Sequence, residues 1–205
     1  MKNKVVGILI CLMFSQVCNS TLFAKTEEKK DLESVLGSIV KILKYGSDSD
    51  RKGAAISLGF IGDKRAVAPL VEIMENSTDK HLRREVIKSL GRIKDPDAVS
   101  AILKALEKET EDRNKREMVE TLGEINDLTA VPALIKIVEG DSLNWTKRKA
   151  IEALGKMKAK SAVPALEKVM KEKDISHSAK QALEKITGKK YKVSYVVQEE
   201  GEIGE

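Results

Sequence analysis

Between Lys115 and Gly140 the apolar positions fall on two helical faces. Met118, Val119, Leu122 and Ile125 stand at i, i+1, i+4 and i+7, one side of a helix. After Asn126-Asp127 a second set, Val131, Leu134, Ile135 and Val138, keeps the same period. Asp127 is placed to accept hydrogen bonds from the free amides that open this second helix. Pro132 lies in its first turns, where a missing amide costs little. The pattern predicts a pair of helices, each with one apolar stripe. Such a pair cannot bury its stripes alone, so it must stack on copies of itself.

The copies are present. Leu-Gly recurs at Leu58-Gly59, Leu90-Gly91, Leu122-Gly123 and Leu154-Gly155, always 32 residues apart. Ala-Val keeps the same step at Ala66-Val67, Ala98-Val99, Ala130-Val131 and Ala162-Val163. Two dipeptides sharing one period mark a stacked array. Helices are expected near 31–45 and 50–61, 64–75 and 80–93, 96–108 and 113–125, 128–139 and 144–157, 160–172 and 176–187. The fold class is all-α: a right-handed α-solenoid, an armadillo- or HEAT-like superhelix of about five helix pairs. Each repeat glycine sits late in the first helix of its pair, at a cost of about 1 kcal/mol against alanine. That repeated cost points to a place where only hydrogen fits against a neighbouring helix. The alternative is a glycine that merely ends the helix.

The run Arg-Arg-x-x-x-x-x-Leu-Gly-x-Ile-x-Asp-x-x-Ala-Val resembles HEAT repeats of the short kind found in bilin lyase-like proteins. The resemblance covers residues from about 31 to 188. It implies that the Leu-Gly helices line a concave face and the Ala-Val helices lie outside. It also implies that Arg51, Arg83, Lys115 and Lys147, eight residues before each glycine, pair with acidic residues between units. The tetratricopeptide pattern is excluded, because Gly62, Lys94, Asn126 and Lys158 stand where it wants an aromatic.

The ends of the chain carry other signals. Lys2 and Lys4 precede an apolar run from Val5 to Phe14, followed by small residues. That is the layout of a signal peptide over residues 1–24, cleaved after Ala24 or Ser20. A lipid anchor on Cys18 is the less favoured reading, because Ser15-Gln16-Val17 departs from the lipoprotein pattern. The solenoid is expected over 25–188 and a tail over 189–205. In the tail, Tyr191, Val193, Tyr195 and Val197 alternate with polar residues, which suggests a short strand able to join a partner's sheet. A frayed end is the plainer alternative.

Composition narrows the chemistry. Aromatic residues are 3% and charged residues 34%, which suits an array of thin aliphatic layers. Both cysteines, Cys11 and Cys18, lie in the predicted signal segment, so an exported chain has no thiol chemistry. Removing residues 1–24 leaves 35 basic against 32 acidic residues, too near balance to argue for nucleic acid. The two histidines, His81 and His177, are three repeats apart, and no metal-ligand spacing or phosphate-binding loop occurs. The expectation is a protein that is not an enzyme, has no cofactor or metal, and has no integral membrane segment once the signal is removed.

A binding surface is easier to name. Seven residues before each glycine stand Lys52, Arg84, Arg116 and Arg148. Arg116 with Glu120 and Arg148 with Glu152 are spaced as i,i+4 pairs. Arg84, Lys88 and Arg92 share one face with no acid at the intervening i+4 positions. Ile56 and Phe60 hold the equivalent places in the first pair, where a solvent-facing residue is expected. An apolar pair beside a cationic stripe has the form of an interface anchor with a charged rim. The candidate partner-binding residues are therefore Ile56, Phe60, Arg84, Lys88, Arg92, Arg116 and Arg148. Trp145 is expected to staple the entry of its helix. The reading is an exported, monomeric, non-catalytic scaffold of the periplasm or cell envelope that holds another protein or peptide in its groove. The alternatives are an anion-binding module for a polyanionic polymer or membrane surface, and an enzyme accessory or maturation factor. Mass spectrometry of the native protein is expected to give an N-terminus near Lys25; an intact Met1 in a cytoplasmic form would overturn export.

Overall fold

Each Leu-Gly segment closes as a helix of about four turns because its apolar residues recur on one face; Ser47 and Asp79 cap the first two, and the two that follow open at Asp112 and Asn144 with no side-chain cap. In the computed structural model, residues 21–140 and 142–192 are described. The α-helices are α1 (Thr21–Tyr45), α2 (Asp48–Ile61), α3 (Val67–Asn76), α4 (Lys80–Ile93), α5 (Val99–Lys108), α6 (Asp112–Ile125), α7 (Val131–Glu139), α8 (Asn144–Lys156), α9 (Val163–Val169) and α10 (Ser176–Thr187). No strand occurs among the described residues. The predicted signal segment up to residue 20 and the tail from residue 193 lie outside them.

The chain divides into two units, Met1–Ser38 and Ile39–Glu205. Of the first, the described part is helical and belongs to α1. That helix starts ten residues before the expected position. Nothing between Thr21 and Leu36 is Pro or Gly, so no residue there interrupts it.

In the second unit, α2, α4, α6, α8 and α10 pack side by side in sequence order. They form an inner row. Helices α3, α5, α7 and α9 form an outer row, each packed on the inner helix that follows it. Four leucines of the Leu-Gly dipeptides, Leu58, Leu90, Leu122 and Leu154, are fully buried, as are Leu70, Ile102, Leu134 and Leu166 of the outer row. Burying each such side chain contributes about 1.5–3 kcal/mol.

The outer segments hold one surprise. Lys64–Ala66, Pro96–Ala98, Leu128–Ala130 and Lys160–Ala162 are single 3-10 turns, and the α-helix begins only at the following valine. The expected starts at 64, 96, 128 and 160 mark these turns. Asp63, Asp95 and Asp127 cap the first three, accepting from the amides of Arg65, Asp97 and Thr129; the fourth follows Ala159 and has no side-chain cap. The alanine of each Ala-Val dipeptide closes the turn and is buried. Helix α9 stops at Val169, three residues short of expectation, and a turn-rich stretch follows.

The repeat glycines are inside their helices, not at the ends. Helices α2, α4 and α6 run two residues further and α8 one; three residues after each glycine, Gly62, Lys94, Asn126 and Lys158 take the left-handed conformation, with φ of 70°, 56°, 62° and 51°. What the glycines do is admit the next helix. A methyl on Gly59 would stand 2.7 Å from the Ser89 Cβ, one on Gly123 2.8 Å from the Ala153 Cβ, and one on Gly155 3.0 Å from Ala182. A methyl on Gly91 would meet the Glu124 carboxylate and stand 3.1 Å from the Thr121 hydroxyl. Each glycine therefore faces a small residue of the following inner helix. Thr121 adds a hydrogen bond across the same seam, donating to the Ile87 carbonyl at 3.2 Å.

The two kinds of helical glycine give opposite expectations. Gly53 lies mid-helix, exposed, with open space where a methyl would go; Gly53→Ala is expected to raise stability by up to about 1 kcal/mol. Gly123→Ala drives a methyl into Ala153 and is expected to cost about 1–3 kcal/mol. Urea midpoints measured side by side check both signs, and a gain at both positions would contradict the glycine seam.

Candidate functional site

The sequence-selected residues lie on four adjacent inner helices: Ile56 and Phe60 on α2, Arg84, Lys88 and Arg92 on α4, Arg116 on α6 and Arg148 on α8. Phe60 is 74% exposed, next to Ile61 at 38%, while Ile56 is half-buried. The Arg92 guanidinium stands 4.7 Å from the centre of the Phe60 ring. A cation over an exposed ring contributes about 0.5–1 kcal/mol. The apolar anchor and the cationic stripe thus meet directly, across the α2–α4 seam.

The stripe is less bare than its i,i+4 spacing suggests. Lys88 pairs with Glu85 at 3.1 Å, one turn earlier on its own helix. The Arg84 Nε donates to the Asn114 side-chain carbonyl at 3.4 Å, and Lys52 pairs with Asp79 at 3.1 Å. Glu117 of α6 lies close enough to feel both Lys88 and Arg116. Burial, reinforced by Glu120 and Glu85, nevertheless lifts its carboxyl above the usual glutamate range.

The expected i,i+4 pairs are replaced. Lys149 takes both acids, reaching Glu120 at 3.0 Å and Glu152 at 3.4 Å. Burial opposes the Lys149 charge, but these two carboxylates raise its pKa above the ordinary lysine value. Arg116 turns instead to Trp145 of the next inner helix, 4.9 Å from the ring centre. Its buried Nε has no hydrogen-bond acceptor among the described residues. Trp145 is therefore a cross-helix platform as well as an entry residue of α8. Arg148 is exposed and makes no ion pair with another described residue. Between α6 and α8 a cavity of about 180 Å³ is lined by Glu120, Glu124, Lys149, Glu152 and Lys156. Along the row the surface passes from apolar at α2, through cationic at α4, to mixed charge at α6 and α8.

Three cations of the other row, Arg51, Arg83 and Lys147, are held within the array. Arg83 reaches over the interhelix loop to Glu109, with its Nη2 3.2 Å from both carboxylate oxygens, and gives its Nη1 to the Ser77 carbonyl at 3.0 Å. Lys147 pairs with Glu172 at 3.8 Å. Arg51 donates to the Leu43 carbonyl at 3.0 Å. The expectation of acidic partners between units holds for Arg83 and Lys147. Asn114, fully buried, completes the first of these sites by donating to Glu109 at 3.1 Å; sequence spacing gave no hint of its part. Among the described residues no group of three His, Cys, Asp or Glu side chains could hold a metal ion, and no helix is long and apolar enough to cross a membrane.

Parallel inner helices, each admitted by a glycine of the one before and backed by an outer helix, define an α-helical repeat protein. The chain belongs to the HEAT-repeat family, whose model matches residues 38–117 and 99–184. Its fold is similar to a chain in the complex of CpcE and CpcF of phycocyanin lyase from Nostoc sp. PCC7120, at 24% identity and a TM-score of 0.65. That match covers 74% of this chain and 64% of the other, so the chain spans a little under two thirds of its length. Human deoxyhypusine hydroxylase in complex with glycerol is a further match, at 15% identity, a TM-score of 0.39, and coverage of 75% and 85%. No curated protein matches the chain.

The Arg83–Glu109 site has a pH signature. Burial disfavours the Glu109 charge, but the Glu111 amide, the Asn114 amide and the Arg83 guanidinium outweigh it and hold its pKa below the ordinary glutamate value. Its stabilising contribution is therefore complete above the unfolded pKa and is lost as pH falls through the lower folded value. Glu109→Gln is expected to cost about 1–3 kcal/mol at neutral pH. The loss should shrink at acid pH, which unfolding curves at the two pH values test. An equal loss at both would remove the charge from the account.

Proposed function

We propose that the protein is an exported, non-catalytic scaffold whose inner helix row holds a segment of another protein. The observation that carries the reading is the α2–α4 patch: a phenylalanine three-quarters exposed, beside the exposed Ile61 and in contact with an arginine of the next inner helix. Exposed aromatic and arginine pairs are the residue types that dominate interface energetics. The order of surface chemistry along the row, apolar then basic then mixed, gives a bound segment a direction, because reversal sets like charges together. The segment that fits has an apolar anchor at Ile56 and Phe60 followed by acidic residues at Arg84, Lys88 and Arg92, with Arg116 and Arg148 further along.

Two considerations support this use of the fold. CpcE and CpcF stand in a complex, so the relative with the similar fold works alongside a second protein. The rival polyanion reading loses ground because a purely anionic polymer makes no use of the exposed Phe60 and Ile61 beside Arg92. A role as accessory or maturation factor is compatible with partner binding and adds no residue to it. The basic start and short apolar run of residues 1–24 support export and a place in the periplasm or cell envelope.

The test is affinity capture from envelope extract with the parent protein, followed by binding measurements on the captured partner. Phe60→Ala is expected to weaken binding by more than 1 kcal/mol, about fivefold or more, and Lys88→Glu with Arg92→Glu to slow association. Binding that collapses with added salt but ignores Phe60→Ala would favour the polyanion reading instead. Unchanged binding by both variants, with intact helical circular dichroism, would move the site elsewhere.

A further inference from the structure

The residues from Val193 to Glu205 carry the pattern that the α2–α4 patch requires. Tyr195, Val196 and Val197 are apolar, and Glu199, Glu200 and Glu202 follow with no lysine or arginine after Lys192. We propose that this tail docks on the α2–α4 patch of a second copy of the chain, so that copies associate head to tail. The inference rests on reading the patch as a docking face, and it names the occupant.

Spacing matches across copies. Two or three residues separate Val197 from Glu199 and Glu200, about 7–11 Å of extended chain. Adjacent packed helices lie about 8–10 Å apart. With Tyr195 to Val197 over Phe60 and Ile56 on α2, the glutamates fall over Arg92 and Lys88 on α4. The tyrosine ring meets an aromatic ring that already carries a cation on it. The glutamates meet the most cationic helix of the inner row.

Spacing also excludes the same contact within one copy. The Tyr191 amide donates to Glu184 of α10 at 3.3 Å, so the tail departs from the last inner helix. From Lys192, the apolar triplet is three to five residues away, at most about 10–18 Å. Helix α2 is four packed helices from α10, roughly 32–40 Å. The triplet cannot reach its own Phe60. A tail at one end and its receptor at the other give a contact between unlike surfaces, which builds chains or rings in place of a closed two-fold pair.

Sedimentation equilibrium of the purified protein over a wide concentration range is the test. The parent is expected to show concentration-dependent association. Phe60→Ala is expected to lower the association constant about tenfold. One double variant, Lys88→Glu with Arg92→Glu, reverses the patch; another, Glu199→Lys with Glu200→Lys, reverses the tail. Each alone is expected to be monomeric, and an equimolar mixture is expected to associate, since one supplies an intact tail and the other an intact patch. A monomeric parent at every concentration overturns the proposal, and so does association that survives patch reversal or a mixture that stays monomeric. A monomeric parent would leave the capture experiment above to decide whether the patch binds a different protein.

Discussion

The close approach of one inner helix to the next is what the remaining structure is built around. Gly59, Gly91, Gly123 and Gly155 each accept the next helix at a distance that a methyl group would block. The facing residues are Ser89, Thr121, Ala153 and Ala182, all small. Glycine in a helix costs about 1 kcal/mol against alanine, and tight packing along the seam offsets it by bringing whole helix faces into contact. The leucine beside each glycine is fully buried, and so is the alanine that closes each 3-10 turn of the outer segments. A wider spacing at the glycines would loosen both layers together.

The architecture was legible because its cause is periodic. Dipeptides repeating every 32 residues fixed the number of helices and placed the inner ones to within two residues of their observed limits. The 3-10 openings of the outer segments were not legible as such, although Asp63, Asp95 and Asp127 marked where they start. Pattern reading registers that apolar residues recur, not that the three residues before each outer helix turn more tightly than the helix itself. The early start of α1 was missed for a related reason: its first residues have no apolar stripe to read.

The site was legible in its composition and not in its contacts. Ile56, Phe60 and the α4 cations could be selected because they break the pattern shared by equivalent positions. Their partners could not, because equivalence and contact follow different offsets. Equivalent positions are 32 residues apart, whereas Arg116 meets Trp145 and Glu120 meets Lys149 at a separation of 29, and the glycines meet small residues mostly 30 ahead. Side chains on a helix lean toward its N-terminus and neighbouring helices cross at an angle, so the residue alongside is not the one a full period away. The sequence signal that could have exposed this is the small residue two places before each following glycine.

That offset also separates structure from recognition. Residues held by a neighbour at 26 to 30 positions' distance, such as Arg83 with Glu109 and Lys149 with Glu120, have their charge compensated within the array. They stiffen the seams and leave little field for a ligand. Phe60 and Arg92 are different: they touch at the full 32-residue spacing, near the C-terminal ends of their helices, where the row faces solvent. A cation over a ring satisfies neither partner fully, since the ring stays largely exposed and the guanidinium keeps donors free for an acid. A repeat array offers every unit the same geometry, so a ligand finds its place only where one unit departs from the others. In this chain the departure is an apolar first unit against a basic second, and the same physics that hides it from a contact prediction makes it the point at which a partner can be told where to bind.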